Sequence, residues 1–345
     1  MTAVDWSGGL DASSEFPVVD PPDVPDFGEN HAFWLFGDAG HFVAHFHIET
    51  IPGVPGSRRE LGEIVLKGDR VLLFQGEGPG THANTVCGAN IRFRCEEPFV
   101  RWTGSFRATA RDTSAKELAS GPVTDGPRAR VDLSFDARMA APPWQQGSVS
   151  KDASSHMKKD AGRWVGGFRY EQLFRARVSL CVDGETQHCD ATGLRTHRCG
   201  PRNVGTMLGH SWQTAVFPSG RAFGAMRYPA REGAPTFSEA FLFQEGRRLP
   251  ARILESPWLV GLQSREEPFS IVLESEIGTT RIDAETIGSV FHTLAGSGLD
   301  LAWIRRGVHR GGDLVLAQAG ARYTWDGETT HGLLERSGPV SKLVR

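Results

Sequence analysis

The densest group of chemically active side chains lies in residues 192–213, which read TGLRTHRCGPRNVGTMLGHSWQ. Among its polar and aromatic residues, five could take part in chemistry: Arg195, His197, Arg202, His210 and Trp212. An imidazole titrates at about pH 6.5, so it can accept and donate a proton at neutral pH. A neighbouring arginine favours the neutral ring and can hold a substrate oxygen. The stretch predicts acid/base chemistry, with His197 as the proton-transfer residue and His210 as the second candidate.

A carboxyl group lies in the segment just upstream, where Tyr170 and Glu171 belong to an alternating, strand-like pattern. A carboxyl buried beside aromatic rings has a raised pKa and can act as an acid at neutral pH. We expect Glu171 to be this acid or the partner of His197, with Tyr170 beside it. The alternative is a buried network of arginine, glutamate and histidine that joins two domains without chemistry.

Other reaction types have less support. His45 and His47 are two residues apart and share one strand face, so with His41 they could form a metal site. No carboxylate has a matching spacing, and we predict no metal and no cofactor. Cys199 follows an arginine that could lower its pKa, but no cysteine-enzyme motif surrounds it. The sequence has no Gly-x-Ser-x-Gly elbow and no glycine-rich phosphate loop.

Composition narrows the class of partner. The 345 residues include 38 basic and 41 acidic side chains, a formal net charge of -3, which argues against nucleic-acid binding. Five cysteines form an odd set without a Cys-x-x-Cys pair, which is typical of a reducing compartment. No signal peptide and no apolar run of membrane length is seen. We expect a cytoplasmic protein without a membrane span, and a homodimer is compatible with the sequence.

The elements that must position these side chains are predicted to be β-strands. Apolar and polar residues alternate with a period of two in many segments. These segments are 41–50, 59–76, 90–97, 101–112, 128–139, 170–193, 212–228, 237–256, 269–286, 302–310 and 320–337. Turn signals such as KGD, VDGE and WDGE join them as hairpins, and so many strands must pair their edges in barrels or sandwiches. The chain is predicted to be all-β, with a short helix at 113–120 and a long loop over a barrel mouth at 146–167.

Three segments resemble motifs of a known family: FRYEQLFRARVSLCVDGETQHCDATGLRTHRCGPRN (168–203), NIRFRCEEPFVRWTGSF (90–106) and ARYTWDGETTHGLLERS (321–337). They resemble an uncharacterised bacterial family of paired lipocalin-like β-domains, similar to the carotenoid 1,2-hydratase (hydroxyneurosporene synthase) superfamily. The resemblance implies two barrel-like domains and a pocket for a hydrophobic small molecule, such as a terpenoid, steroid or polyketide. In the hydratases, an Asp-His-x-Trp motif near the domain junction supplies the acid that protonates an alkene.

The chain departs from the family pattern at its acidic positions. Thr196 stands where the pattern has the Asp before His197, and Asn203 stands where it has a second Asp. Arg169 replaces the histidine that precedes the Tyr-Glu-Gln triplet. A direct copy of the hydratase mechanism would therefore need Glu171 in place of the missing acid.

We predict two tandem lipocalin-like antiparallel β-barrel or sandwich domains, at residues 29–200 and 201–345, after an irregular arm at 1–28. Two functions remain open. The first is a cofactor-independent hydratase, dehydratase, isomerase or cyclase acting on a hydrophobic small molecule. The second is a non-catalytic carrier of a lipid-like ligand.

The remaining site residues are expected to hold substrate oxygens or to stabilise a cation with a ring face. These are Arg195, Arg202, Asn203, Trp102 and Trp212. If His197 and Glu171 face one cavity, the enzyme is favoured. If both are held in a salt bridge between the domains, the carrier is favoured.

Overall fold

The computed structural model describes most of the chain. The described residues are 4–18, 22–24, 27–51, 56–80, 83–158, 162–202, 204, 207–233, 236–294, 304–309 and 314–343. Strands dominate these ranges and the helices are short, which confirms the predicted all-β class. No helix in them is long and apolar enough to cross a membrane.

Eight strands of the described chain close into a first antiparallel barrel. In chain order, the strands of this part of the molecule are β1 (Phe27–Gly37), β2 (Phe42–Thr50), β3 (Ser57–Leu66), β4 (Arg70–Pro79), β5 (Thr85–Cys87), β6 (Ile91–Glu97), β7 (Arg101–Ser114), β8 (Arg128–Met139), β9 (Trp144–Gln145), β10 (Phe168–Val182) and β11 (Glu185–Pro201). The closed order is β1-β2-β3-β4-β7-β8-β10-β11, and β11 pairs back with β1. The short strands β5, β6 and β9 extend this sheet.

A second sheet follows in the chain and closes in the same way among the described strands. Its strands are β12 (His210–Val216), β13 (Ala222–Arg227), β14 (Ser238–Gln244), β15 (Arg247–Glu255), β16 (Pro268–Ser275), β17 (Gly278–Leu294), β18 (Ile304–Arg306), β19 (Leu314–Trp325) and β20 (Glu328–Pro339). The closed order is β12-β13-β14-β15-β16-β17-β19-β20, and β18 pairs with β17. Closure leaves few free strand edges in either sheet.

The helices are α1 (Ala115–Ser120), α2 (Lys151–His156) and α3 (Gly162–Val165). α1 is the short helix predicted at 113–120, and it begins at a capping box in which Ser114 and Glu117 bond each other's backbone amides. α2 and α3 lie in the segment predicted as a loop over a barrel mouth. Ala153 and Trp164 from this segment are buried in the core between the barrels, so the segment packs at their interface.

Apolar side chains fill both barrels and the layer between them. The interior of the first barrel contains Phe33, Phe46, Phe93, Phe106 and Phe135. The interior of the second barrel contains Phe223, Ile271, Leu273 and Tyr323. Trp34 and Trp212 belong to a third core between the barrels. β1 is buried at nearly every position because one of its faces lines the first barrel and the other packs against the second. Its sequence HAFWLFG therefore lacks strict alternation.

Glu239 on β14 joins the second barrel to the segment that follows β9. Its carboxylate accepts hydrogen bonds from the Gly147 amide at 2.7 Å, the Val149 amide at 2.6 Å and Trp144 Nε1 at 3.2 Å. The Glu239 and Trp144 side chains are buried and the two amides are partly buried, so water replaces this carboxylate poorly. The carboxylate therefore fixes the path of the chain between the barrels.

We predict that Glu239→Leu lowers the free energy of unfolding by about 2 kcal/mol or more, because it leaves buried donors unpaired. Hydrogen exchange should accelerate at Gly147 and Val149. The control is Glu274→Leu, which removes an exposed pair with Arg252 and should cost less than ~1 kcal/mol. Equal losses of stability in the two variants would contradict the assignment.

Candidate active site

The β10–β11 hairpin places the expected site residues on two opposite faces. Tyr170 pairs with His197 and Gln172 with Arg195, and these four side chains point into the first barrel. Glu171 lies between two of them and points outward, because neighbouring residues of a strand face opposite sides. His197 and Glu171 therefore do not face one cavity. Nor are they joined in a salt bridge between the barrels.

Inside the first barrel, Arg195 forms a buried ion pair with Glu15 of the N-terminal arm (residues 4–18). The Glu15 carboxylate also accepts hydrogen bonds from Tyr170 Oη at 2.5 Å, Trp102 Nε1 at 2.8 Å and the Phe99 amide at 3.0 Å. Burial raises the pKa of Glu15, but the Arg195 charge and these donors outweigh burial and hold the pKa below its ordinary value. The arm thus occupies the place beside Arg195 where a substrate oxygen was expected.

The aromatic rings of Trp102 and Tyr170 in this interior already lie close to a cation. The Arg195 guanidinium lies 5.0 Å from the ring centre of Trp102 and 5.2 Å from that of Tyr170. Burial raises the pKa of Tyr170 well above its ordinary value, so its hydroxyl stays protonated. These residues form a paired network that closes the barrel.

His197 lies on the same inner face and is also held by the protein. Its Nδ1 is 2.8 Å from the Ser14 carbonyl oxygen, and its Nε2 is 3.0 Å from Glu29 Oε1. The ring stacks on His31 with the ring centres 3.9 Å apart. Arg58 lies 3.0 Å from the second oxygen of Glu29. Because all of these groups are buried, the partners of His197 come from the chain itself.

On the outer face of the first barrel, four registered residues form a row across β2, β1, β11 and β10. His47 pairs with Ala32, Ala32 with Thr196, and Thr196 with Glu171. Paired residues of antiparallel strands point to the same side, so an imidazole and a carboxyl flank two small side chains. Three strand spacings separate the outer Cα atoms by roughly 14 Å. We call these residues the His47–Glu171 row.

An aromatic row and a cationic row lie on either side of it. Trp34 and its partner His45 stack with ring centres 4.5 Å apart. In the opposite direction, Arg198 pairs with Arg169 across the hairpin. Burial and the neighbouring Arg202 lower the pKa of Arg198 to about 9, which shows how many cations this part of the interface contains.

Glu171 is an acid that holds its proton near neutral pH. Burial raises its pKa to about 7, although Arg169 at 3.2 Å opposes this. Trp212 Nε1 donates to one carboxyl oxygen at 3.1 Å, and Gln146 Nε2 is 2.5 Å from the other. This environment matches the sequence expectation of a buried carboxyl beside an aromatic ring.

His47 and Glu49 complete the other end of the row. Burial, and then the neighbouring His45 and Arg198, hold the pKa of His47 well below its ordinary value, so the ring is neutral. Burial raises the pKa of Glu49 to about 7. Protein surrounds both side chains, and each is 12% exposed.

The second barrel covers this face with residues from β12, β13 and β20. The Arg169 guanidinium lies 4.5 Å from the ring centre of Trp212, so one face of this ring already contacts a cation. His210 Nε2 is 2.8 Å from Glu335, and Ser337 Oγ is 2.6 Å from its Nδ1. Both ring nitrogens of His210 are therefore occupied. Its position is at the interface, but its role there is to hold β12 on β20.

His45 takes part in a polar contact between the barrels. Its Nδ1 is 3.1 Å from Glu63 Oε2, and the other oxygen of Glu63 is 2.8 Å from His292 Nε2 and 3.4 Å from Arg306 Nε. Burial raises the pKa of Glu63, but the contacts with His292, the His45 hydrogen bond and the Arg306 charge outweigh burial and hold the pKa well below its ordinary value. A charged carboxylate thus joins one barrel to the other. The Nδ1 of His45 is thus engaged by Glu63, and its Nε2 has no hydrogen-bond partner among the described residues.

Three further sequence expectations concern Arg202, Asn203 and Cys199. Arg202 lies at the interface, where its Nε donates to the Trp164 carbonyl oxygen at 2.8 Å. Asn203 lies outside the described residues. The neighbour Arg198 does not activate Cys199, because burial and Glu29 raise the pKa of this thiol to about 11.

A separate groove of about 700 Å³ lies elsewhere along the interface. Its lining mixes acidic, basic and apolar residues, among them Asp136, Arg138, Arg175, Asp190 and His331. Glu49 and Glu171, whose pKa values are raised to about 7, do not line this groove. We therefore place the candidate site at the His47–Glu171 row.

Sequence reasoning found Glu171, Arg202 and Trp212 but missed other residues of the same site. These are Ala32, Trp34, Glu49, Glu63, Arg169 and Arg198. The spacing of His45 and His47 is a usable signal for one end of this candidate site, although the sequence alone suggests a metal pair there. The opposite end becomes visible only when the strand register is known.

The comparisons with known proteins agree with this fold. A family model described as "Domain of unknown function (DUF7064)" matches residues 20–340. An AttH-like protein from Nitrosomonas europaea is 13% identical, with a TM-score of 0.54 over 93% of this chain and 98% of the other. Kievitone hydratase from Nectria haematococca is 11% identical, with a TM-score of 0.50 over 95% and 92%. CghA bound to Sch210972 is 12% identical, with a TM-score of 0.51 over 91% and 89%.

No curated protein matches the sequence. At these identities the solved structures show the fold alone. That fold, an all-β chain with two tandem domains, is the one that the sequence predicted.

The interior ion pair predicts a large effect on stability. Arg195→Met should lower the free energy of unfolding by about 3–5 kcal/mol, because the Glu15 carboxylate is left buried and unpaired. Urea unfolding followed by fluorescence measures this change. Arg107→Met removes a mostly exposed pair with Asp132 and should cost less than ~1 kcal/mol. Similar midpoints for the two variants would show that Arg195 does not have this structural role.

The raised pKa of Glu171 predicts a pH-dependent stability. The folded carboxyl keeps its proton up to about pH 7, whereas an ordinary one loses it near 4.5. Between these values the folded state binds more protons, so its stability falls as pH rises. Glu171→Gln should remove this loss, with a slope of at most about 1.4 kcal/mol per pH unit relative to wild type. Glu274→Gln should keep the wild-type slope. Parallel stability curves for wild type and Glu171→Gln would contradict the assignment.

Proposed function

Because this chain belongs to the DUF7064 family and has the fold of the carotenoid hydratase-like lipocalin superfamily, we propose that it is an acid/base enzyme of the hydratase or isomerase type. Its site is the His47–Glu171 row between the barrels. The proposed substrate is a small molecule with a carbon–carbon double bond or an allylic alcohol. No cofactor is needed for this chemistry.

One observation carries the proposal: an acid and a base stand at the two ends of one registered row with two small residues between them. Glu171 keeps its proton near neutral pH. His47 is neutral, so one of its ring nitrogens has a lone pair that can accept a proton. General acid/base catalysis needs these opposite protonation states at one pH and is worth roughly 10²- to 10⁴-fold.

The proposed reaction begins when Glu171 transfers its proton to an alkene carbon. The new C–H bond takes the π electrons and leaves a cation on the neighbouring carbon. Water then adds to that cation while His47 accepts a proton from the water, which gives the alcohol. Loss of a different C–H proton to His47 instead gives an isomerised alkene, and the reverse sequence is dehydration.

The surroundings of the row supply the other requirements. Trp34 offers an aromatic face on one side, and such a face stabilises a nearby cation by roughly 0.5–2 kcal/mol. Arg198 and Arg202 are cationic groups on the other side, suited to a substrate oxygen. We therefore propose a ligand with an apolar part toward Trp34 and an oxygen-bearing end toward the arginines. A terpenoid, steroid or polyketide fragment has this character.

The residues inside the first barrel have a different proposed role. Arg195, Tyr170 and Trp102 are paired with Glu15, and His197 is paired with Glu29, so we assign them to barrel closure. The proton-acceptor role expected of His197 falls to His47. Substrate entry requires interface side chains to move, since Glu171 is almost fully buried.

The test is native mass spectrometry and organic extraction of freshly purified protein. Wild type is compared with Glu171→Gln, His47→Gln and the exposed control His188→Gln. We expect wild type and the control to release the same compound. The two site variants should retain a different compound, separated by the mass of one water for a hydratase, or by retention time alone for an isomerase.

The competing function is a carrier of a lipid-like ligand. A carrier would release one and the same compound from all four proteins. That result would overturn the enzyme assignment and leave binding as the function. If Glu171→Gln formed the compound found in wild type at the wild-type rate, this result would overturn the role of Glu171.

A further inference from the structure

Three buried side chains on the inner face of β1 and β11 bring their ligand atoms close together. Glu29 Oε1, His31 Nε2 and His197 Nε2 all lie within 4.8 Å of one another. The carboxyl oxygen is 3.0 Å from His197 Nε2 and 3.6 Å from His31 Nε2. These side chains lie on the opposite side of the sheet from the His47–Glu171 row. They are therefore not part of the proposed acid/base site.

The hydrogen bonds of His197 decide which of its nitrogens carries a proton. Nδ1 is 2.8 Å from the Ser14 carbonyl oxygen, which can only accept, so the Nδ1 proton is fixed there. In the neutral ring, Nε2 then presents a lone pair to the Glu29 carboxylate at 3.0 Å. Two lone pairs repel at this distance, so a positive species must lie between them. That species is either a proton, carried by Nε2 or by the carboxyl group, or a metal ion.

His31 distinguishes the two cases. Its Nε2 is buried and has no hydrogen-bond partner within the part of the chain that the structure describes. The distance of 3.6 Å to Glu29 is too long for a hydrogen bond. A proton on His197 would leave this nitrogen unpaired at a cost of about 1–3 kcal/mol. One cation bound to all three atoms satisfies His31, His197 and Glu29 together.

We propose that Glu29, His31 and His197 bind one divalent transition-metal ion, most simply Zn²⁺. Two imidazoles and one carboxylate are a donor set that such ions prefer. The surrounding contacts fit the usual second layer of a metal site: the Ser14 carbonyl orients His197, and Arg58 and the Val18 amide orient Glu29. Ser14 and Val18 belong to the N-terminal arm. The ion would therefore hold the arm against the first barrel.

The experiment uses the full-length protein without an affinity tag, treated with a chelator and dialysed. Titration with ZnCl₂ by calorimetry, and metal analysis after gel filtration, measure affinity and stoichiometry. We expect one Zn²⁺ per chain and a rise in Tm on addition of the metal. Co²⁺ in place of Zn²⁺ should give visible d–d absorption bands.

The ligand variant is His31→Gln, which removes one donor and leaves the pair of His197 and Glu29 in place. It should bind Zn²⁺ more than tenfold more weakly and lose the rise in Tm and the Co²⁺ bands. The matched control is His45→Gln, a buried histidine on the outer face of the same barrel, which should bind as wild type does.

The outcomes distinguish a proton from a metal ion between His197 and Glu29. Absence of Zn²⁺ binding by the folded wild-type protein would assign the charge to a protonated His197 and overturn the metal site. Equal binding by wild type and His31→Gln would also overturn it, because the ion would then be held elsewhere. None of these measurements depends on the enzyme activity proposed above.

Discussion

The constraint on which the whole structure depends is that β1 and the adjoining parts of β10 (residues 170–174) and β11 (residues 193–198) are buried on both faces. A strand at the surface can place its polar side chains in water, but these strands have a barrel interior on one side and a second barrel on the other. Each polar group must therefore find its partner within the protein. The alternation of side chains separates these groups into two sets that never meet. One set closes the first barrel, and the other lies between the barrels.

The two sets differ in how their charges are balanced. In the interior, Arg195 and Glu15 are matched one to one, and four donors surround the carboxylate. Such a network is rigid, and nothing in it needs to change its protonation near neutral pH. Between the barrels, Glu171 and Glu49 both have a pKa of about 7. Groups with perturbed pKa values are concentrated where proton transfer is useful.

The sequence predicted the fold more fully than the site. A period of two and clear turn residues were enough for an all-β chain, and the motifs indicated the superfamily. From the sequence, the chemistry could be assigned only to a stretch of residues. Which face of the sheet a side chain occupies depends on whether its position along the strand is odd or even. His197 and Glu171 are close in the hairpin yet point apart, and Arg195 meets Glu15 from an arm that shows no periodicity at all. Contacts of this kind depend on register and long-range closure, which local patterns do not contain.

The pairing of β1 with β11 has a consequence for biosynthesis. Phe27 pairs with Pro201, so most of the first barrel must leave the ribosome before its first and last strands can meet. Loops of that length are slow to close, and the partly made sheet has unpaired edges in the meantime. Glu15 is synthesised before every strand of the barrel, but Tyr170 and Arg195 are among the last residues that the barrel receives. The arm is therefore synthesised before the barrel but cannot take its final place until the barrel is nearly complete.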